Sequence, residues 1–540
     1  MHLNDKELEN RAQWEANGFI LPRFDRGGVR IRTRKEPVWL HLGAGNIFRA
    51  FPAVLQQRLL DEGWQDRGII VAEGYDYEII DAAYTAHDDL SVSVTLKADG
   101  SIDKTVVASV VESLKMDDRG LERLREIFSA PSLQVVSLTI TEKGYSIMRG
   151  DASLLPDIEA DFNLGPSSPV SYMGKLAALC HCRYQTCAAP LSLVSMDNCS
   201  HNGSRLYDSV SRFASEWAAR GLVDRGFPGY VENPARLAFP WSMIDKITPR
   251  PDQDIAEMLC GSGLESMGGA VTSKNTYIAP FVNSEETGYL VIEDAFPNGR
   301  PPLEKAGVMI TDRDTVDKTE KMKVCTCLNP LHTGLAVFGC LLSYTRISDE
   351  MKDPVLQKLV RQIAVEGLPA VADPIIISPS EFVETVINKR LINPFMPDTP
   401  QRIATDTSQK IPVRFGETIK SYLRGGGAGN HRPPLHTGGL RAIPLALAGW
   451  CRYLVGIDDD GVPFELSPDP LMAKLAAVFA GLVPGSGADF AGILKPLLSD
   501  EAVFGANLYD AGLGHIVAGY FASMMEGPGA VRRTLEAVLA

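Results

Sequence analysis

The sequence predicts an α/β domain built on an open sheet, followed by a mainly α-helical domain. Three observations support this. Four short apolar runs in the first 200 residues each end in glycines or a polar cluster, as strands do where a ligand crevice opens. Beyond a Pro/Gly-rich connector near Arg300 to Ala306 the chain reads mostly helical. At 540 residues it is too long for one simple core, so two large domains are the natural division, 1–302 and 303–540.

The first run lies in Pro37 to Glu62, PVWLHLGAGNIFRAFPAVLQQRLLDE, which reads as a strand, a glycine turn and an amphipathic helix. Gly43 and Gly45 let the backbone turn tightly and approach a pyrophosphate at the helix N-terminus, where unpaired N–H groups and the dipole favour negative charge. Phe48 stands where the usual fingerprint has its third glycine. The second run, Gly68 to Ala72, ends at Glu73, where an acid commonly receives the adenosine ribose hydroxyls. A carboxylate there repels a 2′-phosphate and so favours NAD over NADP; the bland alternative is a solvated strand-end acid. The third run, Leu133 to Ile140, leads into Thr141, Glu142, Lys143, Gly144 and Tyr145. The fourth, Leu191 to Met196, leads into Asp197, Asn198, Cys199, Ser200, His201, Asn202 and Gly203, where DN and HNG can equally be turn signals. Phe239 to Pro251 offers a short extended segment carrying Asp245 and Lys246, and Tyr289 to Glu304 mixes a strand with the connector. The glycine run Gly425 to Gly429 has no strand before it and no Lys-Ser/Thr after it, so it reads as a loop.

Composition narrows the function. A formal net charge of −14 argues against a nucleic-acid surface, although a few local cations can still bind one small anion. The N-terminal stretch MHLNDKELENRAQWEANG has no apolar signal region. Nine cysteines without scaffold spacing suit a reducing cytoplasm. Cys180, His181, Cys182, Cys187 and the Cys325/Cys327 pair lack partners at zinc-finger spacing, so no metal is expected. The expected partner is a small molecule, with no nucleic acid and no membrane, on a monomer or small homo-oligomer.

The stretch Lys321 to Ala336, KMKVCTCLNPLHTGLA, carries the chemistry. Val324 to Thr345 are 22 residues without Asp, Glu, Lys or Arg, long enough to span a membrane. Asn329, Pro330 and His332 interrupt the run, so it reads as a buried helix. Asn329 and His332 share a helical face. Lys323 points about 180° from His332 on a regular helix. Pro330 disturbs the ladder, and one residue bulged out as a π-turn swings Lys323 by about 100° towards His332. The alternative is a core helix whose Asn and His are merely hydrogen-bonded.

Together the motifs HLGAGNIFRAF (41–51), SLTITEKGY (137–145), SMDNCSHNG (195–203), WSMIDKITP (241–249), LNPLHTGL (328–335) and RIATDTSQK (402–410) resemble the polyol-specific long-chain dehydrogenases, the mannitol dehydrogenase family. The resemblance implies an N-terminal Rossmann-type domain, a mainly helical C-terminal domain, an active site between them and metal-independent chemistry. It implies Lys323 as general base, Asn198 and Asn329 as holders of the alkoxide, and His332 as an aid to substrate orientation. Substrate contacts fall to Asp245, Arg402 and Lys410. Cofactor contacts fall to Gly43, Gly45, Asn46, Ile47, Phe48, Glu73, Thr141, Glu142 and Asn198. The family places its lysine five residues before the asparagine, whereas Lys323 lies six before Asn329 and Lys321 eight, so both lysines remain in play with Lys323 preferred.

A lysine with an ordinary pKa near about 10.4 is mostly protonated at neutral pH, and burial beside Arg402 and Lys410 would bring it into a working range. A guanidinium with a nearby ammonium suits a carboxylate. HTGL after LNPL is nearer the uronate reductases of the family than the mannitol enzymes. The expectation is an NAD(H)-dependent enzyme interconverting fructuronate and mannonate, with tagaturonate/altronate and mannitol/fructose as rivals. A sugar- or nucleotide-binding protein that has lost turnover is the reading from another class.

Overall fold

The structure, a computed structural model, describes residues 1–425 and 436–540. Gly426 to Gly429 of the glycine run therefore lie outside the described residues. The chain divides into two units, Met1–Leu96 with Ser101–Asp317, and Lys97–Gly100 with Lys318–Ala540. Where the sequence reading sets the division at 302/303, the next segment, Met309–Thr311, pairs in parallel with Tyr289–Glu293 and so belongs to the first unit.

The first unit is organised by six strands: β1 (Trp39–Leu42), β2 (Ile69–Glu73), β3 (Val110–Lys115), β4 (Val135–Leu138), β5 (Leu191–Ser195) and β6 (Leu237–Ala238). Their spatial order is β3-β2-β1-β4-β5-β6, every pairing parallel. This is the doubly wound Rossmann order, in which ligands sit beyond the carboxyl ends of the strands where the order reverses, here between β1 and β4. Leu42 lies in register with both Ala72 and Leu138, so β1, β2 and β4 deliver Gly43, Glu73 and Thr139 to one edge.

A parallel sheet must be covered on both faces, which is why β1, β2, β4 and β5 are mostly apolar and buried along their whole length rather than alternating. Helices α1 (Asn46–Ala50), α2 (Pro52–Asp61), α3 (Asp118–Ser129), α4 (Tyr172–Thr186) and α5 (Asn202–Ala219) supply the cover. Leu40, Leu42 and Ile70 pack with Leu124 and Phe128 of α3, Leu176 of α4 and Phe213 of α5. On the opposite face Trp39, Ile69 and Val71 pack with Leu55 and Leu59 of α2. The strand β3 escaped the sequence reading because it is an edge strand, and Glu112, Ser113 and Lys115 break its apolar run.

In the second unit the described elements are helical. The apolar run read as one helix is not continuous: α6 (Arg313–Lys321), which starts in the first unit, passes into a π-helical turn, Met322–Cys327, the backbone breaks at Leu328 (φ −126°, ψ −63°), and α7 (Asn329–Leu341) follows. Pro330 sits in the first turn of α7, where its missing N–H costs nothing. After α8 (Pro354–Gly367), a second π turn, Val386–Arg390, precedes α9 (Pro400–Ala404) and α10 (Thr407–Arg414); α11 (Ala442–Tyr453) comes later. The central helix is α7, packed against α8, α9 and α11. Close approach of α11 depends on Gly449, where a Cβ would lie 2.6 Å from the ring of Phe338.

Candidate active site

The turn after β1 is held by groups outside it. Gly43 has φ +105°, and a Cβ there would lie 2.2 Å from the Thr139 carbonyl oxygen, so only glycine fits. Its N–H donates to Ala72 O (2.8 Å), the Ala44 N–H donates to Glu73 Oε2 (2.8 Å), and the Tyr84 hydroxyl donates to Ala44 O (2.9 Å). Gly45 differs from Gly43: its backbone is extended (φ −76°), and a Cβ would meet nothing within 4 Å. Open space therefore faces the start of α1, which has no side-chain cap. Asn46 and Ile47 are partly exposed there, and Asn46 Oδ1 accepts from Arg49 Nη2 (2.9 Å). Phe48, in place of the third glycine, is fully buried and stacks on His41 with centroids 4.1 Å apart. It shapes the turn from beneath. Burial pushes the His41 pKa down to about 3, and its neutral ring bridges Ser137 Oγ (2.6 Å) and Thr139 Oγ1 (2.9 Å).

Glu73 is not a solvated strand-end acid: it is only 6% exposed. Its Oε1 accepts from the N–H groups of Tyr75 (2.8 Å) and Asp76 (3.2 Å) while Oε2 takes Ala44, leaving one lone-pair position of about four for an incoming hydroxyl. Beside it the Tyr172 hydroxyl is buried without a hydrogen-bond partner, and its ring packs where a Cβ on Gly74 would lie 2.5 Å away. A glycine cradle, open space before α1, a spare acceptor on Glu73 and an unpartnered hydroxyl together fit a dinucleotide.

The loops after β4 and β5 are joined through Asp197. Its carboxylate accepts from the N–H groups of Ile140 and Thr141 (2.9 Å each) and from the Tyr145 hydroxyl. Burial pushes the Asp197 pKa up, while these donors act the other way. The clamp holds Thr141 at φ +65°, a conformation an L side chain adopts only under such constraint. Glu142 is exposed and pairs with Arg205 (3.0 Å), and Asn198 lies exposed between Asp197 and the αL residue His201. Asn202 has a structural task, donating to Asp197 O (3.0 Å) and Ser242 O (2.9 Å). Asp245 ends the strand Ser242–Asp245 and is buried.

In the second unit Lys323 lies in the π turn and is 3% exposed, whereas Lys321 is exposed. The Leu328 N–H donates to Lys323 O, five residues back, at 3.1 Å. On a regular helix nine positions separate Lys323 from His332 by about 180°, and absorbing one residue in the π turn leaves about 80°.

The His332 side chain is 16% exposed. Its Nε2 lies 3.6 Å from Asp398 Oδ2, too far for a hydrogen bond, and is buried without a partner. Burial first, then the positive charges of Arg414, Arg390, Arg402 and Lys410, push its pKa down to about 3, so the ring is neutral at pH 7. Arg402 pairs with Asp398, and its side chain is 61% exposed. Lys410 donates to the carbonyls of Ile403 (3.1 Å) and Thr405, and burial, assisted by Arg414, lowers its pKa to about 8. Arg414 Nη1 donates to Thr333 Oγ1 (2.6 Å), and burial lowers its pKa to about 10. The sequence reading had Arg402 and Lys410 but missed Asp398, Arg390 and Arg414. Spacing could have found two of these: Asp398 lies four residues before Arg402, just ahead of α9, and Arg414 lies four after Lys410 on α10.

Comparison with known proteins gives concordant results. The family model described as the mannitol dehydrogenase Rossmann domain matches residues 38–305, and that of the mannitol dehydrogenase C-terminal domain matches 315–511. A D-mannonate oxidoreductase from Thermotoga maritima is 52% identical over 100% of this chain and 99% of its own. A mannitol 2-dehydrogenase from Neosartorya fischeri is 30% identical over 88% and 89%. Among solved structures, the Pseudomonas fluorescens mannitol 2-dehydrogenase ternary complex with NAD and D-mannitol matches with TM-score 0.69 and 25% identity, covering 100% of this chain and 99% of that one. A substrate-free D-sorbitol dehydrogenase shares the fold at TM-score 0.80 and 23% identity, with full coverage of both chains. With both family domains matched in order and a full-length relative above half identity, the chain belongs to the mannitol dehydrogenase family.

Proposed function

We propose that the protein interconverts D-fructuronate and D-mannonate with NAD(H), using Lys323 as general acid and base and no metal. The observation that carries the substrate is the likeness to the Thermotoga maritima D-mannonate oxidoreductase along the whole chain. A neutral mannitol-type substrate is a poorer fit to the four cations whose charges reach His332.

In this reading Gly43, Gly45, Asn46, Ile47 and Phe48 form the pyrophosphate turn. Glu73 offers its remaining lone pair to the adenosine ribose and disfavours a 2′-phosphate, and Thr141, Glu142 and Asn198 line the strand ends. NAD, when bound, supplies the two-electron acceptor for the alcohol carbon. The chain handles the proton: Lys323 Nζ takes it from the alcohol oxygen on oxidation and returns it to the alkoxide on reduction. The side-chain amides of Asn198 and Asn329 donate to that oxygen, where fixed dipoles are most effective as charge develops. Lys323 is the buried amine of the π turn, where bulk water has little access to replace it as proton carrier. The neutral His332 ring has an unpartnered Nε2 with which to orient a substrate hydroxyl. Asp245 and Lys410 contribute further contacts to the polar chain of the substrate, with Arg402.

The test is a panel of D-fructuronate, D-tagaturonate and D-fructose, each with NADH and NADPH, followed by loss of reduced nicotinamide absorbance. Fructuronate with NADH should have the highest kcat/KM. A higher value for tagaturonate moves the assignment to altronate chemistry, one for fructose to mannitol. Tight binding of substrate and NADH without turnover in a single-turnover experiment marks a binding protein.

A further inference from the structure

We propose that Arg414 takes the substrate carboxylate and so sets the preference for sugar acids over neutral polyols. This deepens the function proposed above and rests on it. Arg414 ends α10, the helix packed against both the π turn that carries Lys323 and the helix α7 that carries Asn329 and His332. Its Nη1 donates to Thr333 Oγ1, and that hydroxyl donates in turn to Asn329 O (2.9 Å). The guanidinium is thereby fastened to the helical turn that bears the amide and the imidazole.

Charge pairing separates Arg414 from its neighbours. Asp398 neutralises Arg402, and the Lys410 ammonium is committed to two backbone carbonyls. Among the described residues no carboxylate lies within ion-pair reach of Arg414, and one of its five N–H groups is used on Thr333. A partly buried guanidinium without a counter-ion is costly, and a carboxylate that enters with the substrate compensates it through two parallel hydrogen bonds. A polyol brings no charge and leaves the cost in place. Thr333 thereby has a positioning role, since its hydroxyl aims the guanidinium.

The experiment compares wild type, Arg414→Gln and Arg414→Lys with D-fructuronate and D-fructose as substrates. Arg414→Gln should raise KM for fructuronate by about 30-fold or more, the range of one charged hydrogen-bonded contact, with a much smaller change in kcat. KM for fructose and the affinity for NADH should stay within about twofold. Arg414→Lys, which keeps the charge and loses the fork, should fall between. An equal loss for both substrates, or an unchanged KM for fructuronate, overturns the assignment, and should the Gln variant not fold, the Lys variant decides on the same criteria. If wild type reduces no hexuronate, the proposed function fails, and calorimetric binding of D-mannonate and D-mannitol still reads the inference. A preference for the anion that disappears in Arg414→Gln and weakens in Arg414→Lys supports it, and equal binding of the two by wild type, or a preference unchanged in the variants, overturns it.

Discussion

Replacing Lys323 by Ala removes the amine while leaving the helix a good helix former. A positioned acid or base contributes about 10²- to 10⁴-fold, which is about 2.7–5.4 kcal/mol of barrier. Lys323 is 3% exposed, so bulk water has poor access to stand in for the lost group, and a loss of at least about a hundredfold in turnover of D-fructuronate with NADH is expected. NADH affinity, read by fluorescence titration, should be unchanged, and small primary amines should restore part of the rate. Lys321→Ala, at an exposed position, should keep the wild-type rate. Deleting Cys325 within the π turn shortens the Lys323-to-Asn329 interval to the five residues usual in the family and leaves Lys323 about 80° from His332 on a regular helix, so activity should survive. A full rate in Lys323→Ala together with loss in Lys321→Ala would refute the reasoning and move the role by two residues.

Other tests follow from the same geometry. Gly43→Ala puts a Cβ 2.2 Å from the Thr139 carbonyl at φ +105°, so it should cost about 1–3 kcal/mol of stability and weaken NADH binding; wild-type affinity would show that the turn has slack. Glu73→Ser should weaken NAD more than NADP, and an unchanged ratio of the two dissociation constants counts against the ribose assignment. His332 has a folded pKa of about 3 against an ordinary 6.5, so between those values the unfolded chain holds a proton that the folded one refuses. The resulting stabilisation is complete above pH 6.5 and is lost as pH falls below it, by about 1.4 kcal/mol per pH unit. Urea unfolding of His332→Gln from about pH 5 to 7 should show a shallower pH dependence than wild type, and an identical slope would show that the ring is not held neutral. Exhaustive chelation should leave the rate intact; loss recovered on adding Zn²⁺ would point to a metal mechanism instead.

Much of the Rossmann-type unit was legible because its signals are local. An apolar strand followed by Gly43 and Gly45, and a second strand ending at Glu73, are contiguous patterns tied to backbone chemistry. The structure refined them. Gly43 alone needs its positive φ, and Glu73 spends most of its acceptor capacity on backbone N–H groups that close the turn. The irregular helix was legible for the same reason, since Pro330 and the extra residue before Asn329 conflict with a regular ladder. The π turn at Met322–Cys327 absorbs the extra residue, and the break at Leu328 puts Pro330 in the first turn of α7.

By itself the sequence determined the order of motifs, the two-part architecture and the residue types able to move a proton, because each is written in neighbouring positions. Only the tertiary structure decided how the cations divide their work. Arg402 meets Asp398, Lys410 turns to backbone carbonyls, and Arg414 reaches Thr333 from another helix. Which charges cancel and which await a partner depends on distance through space and on exclusion of water, and spacing along the chain encodes neither.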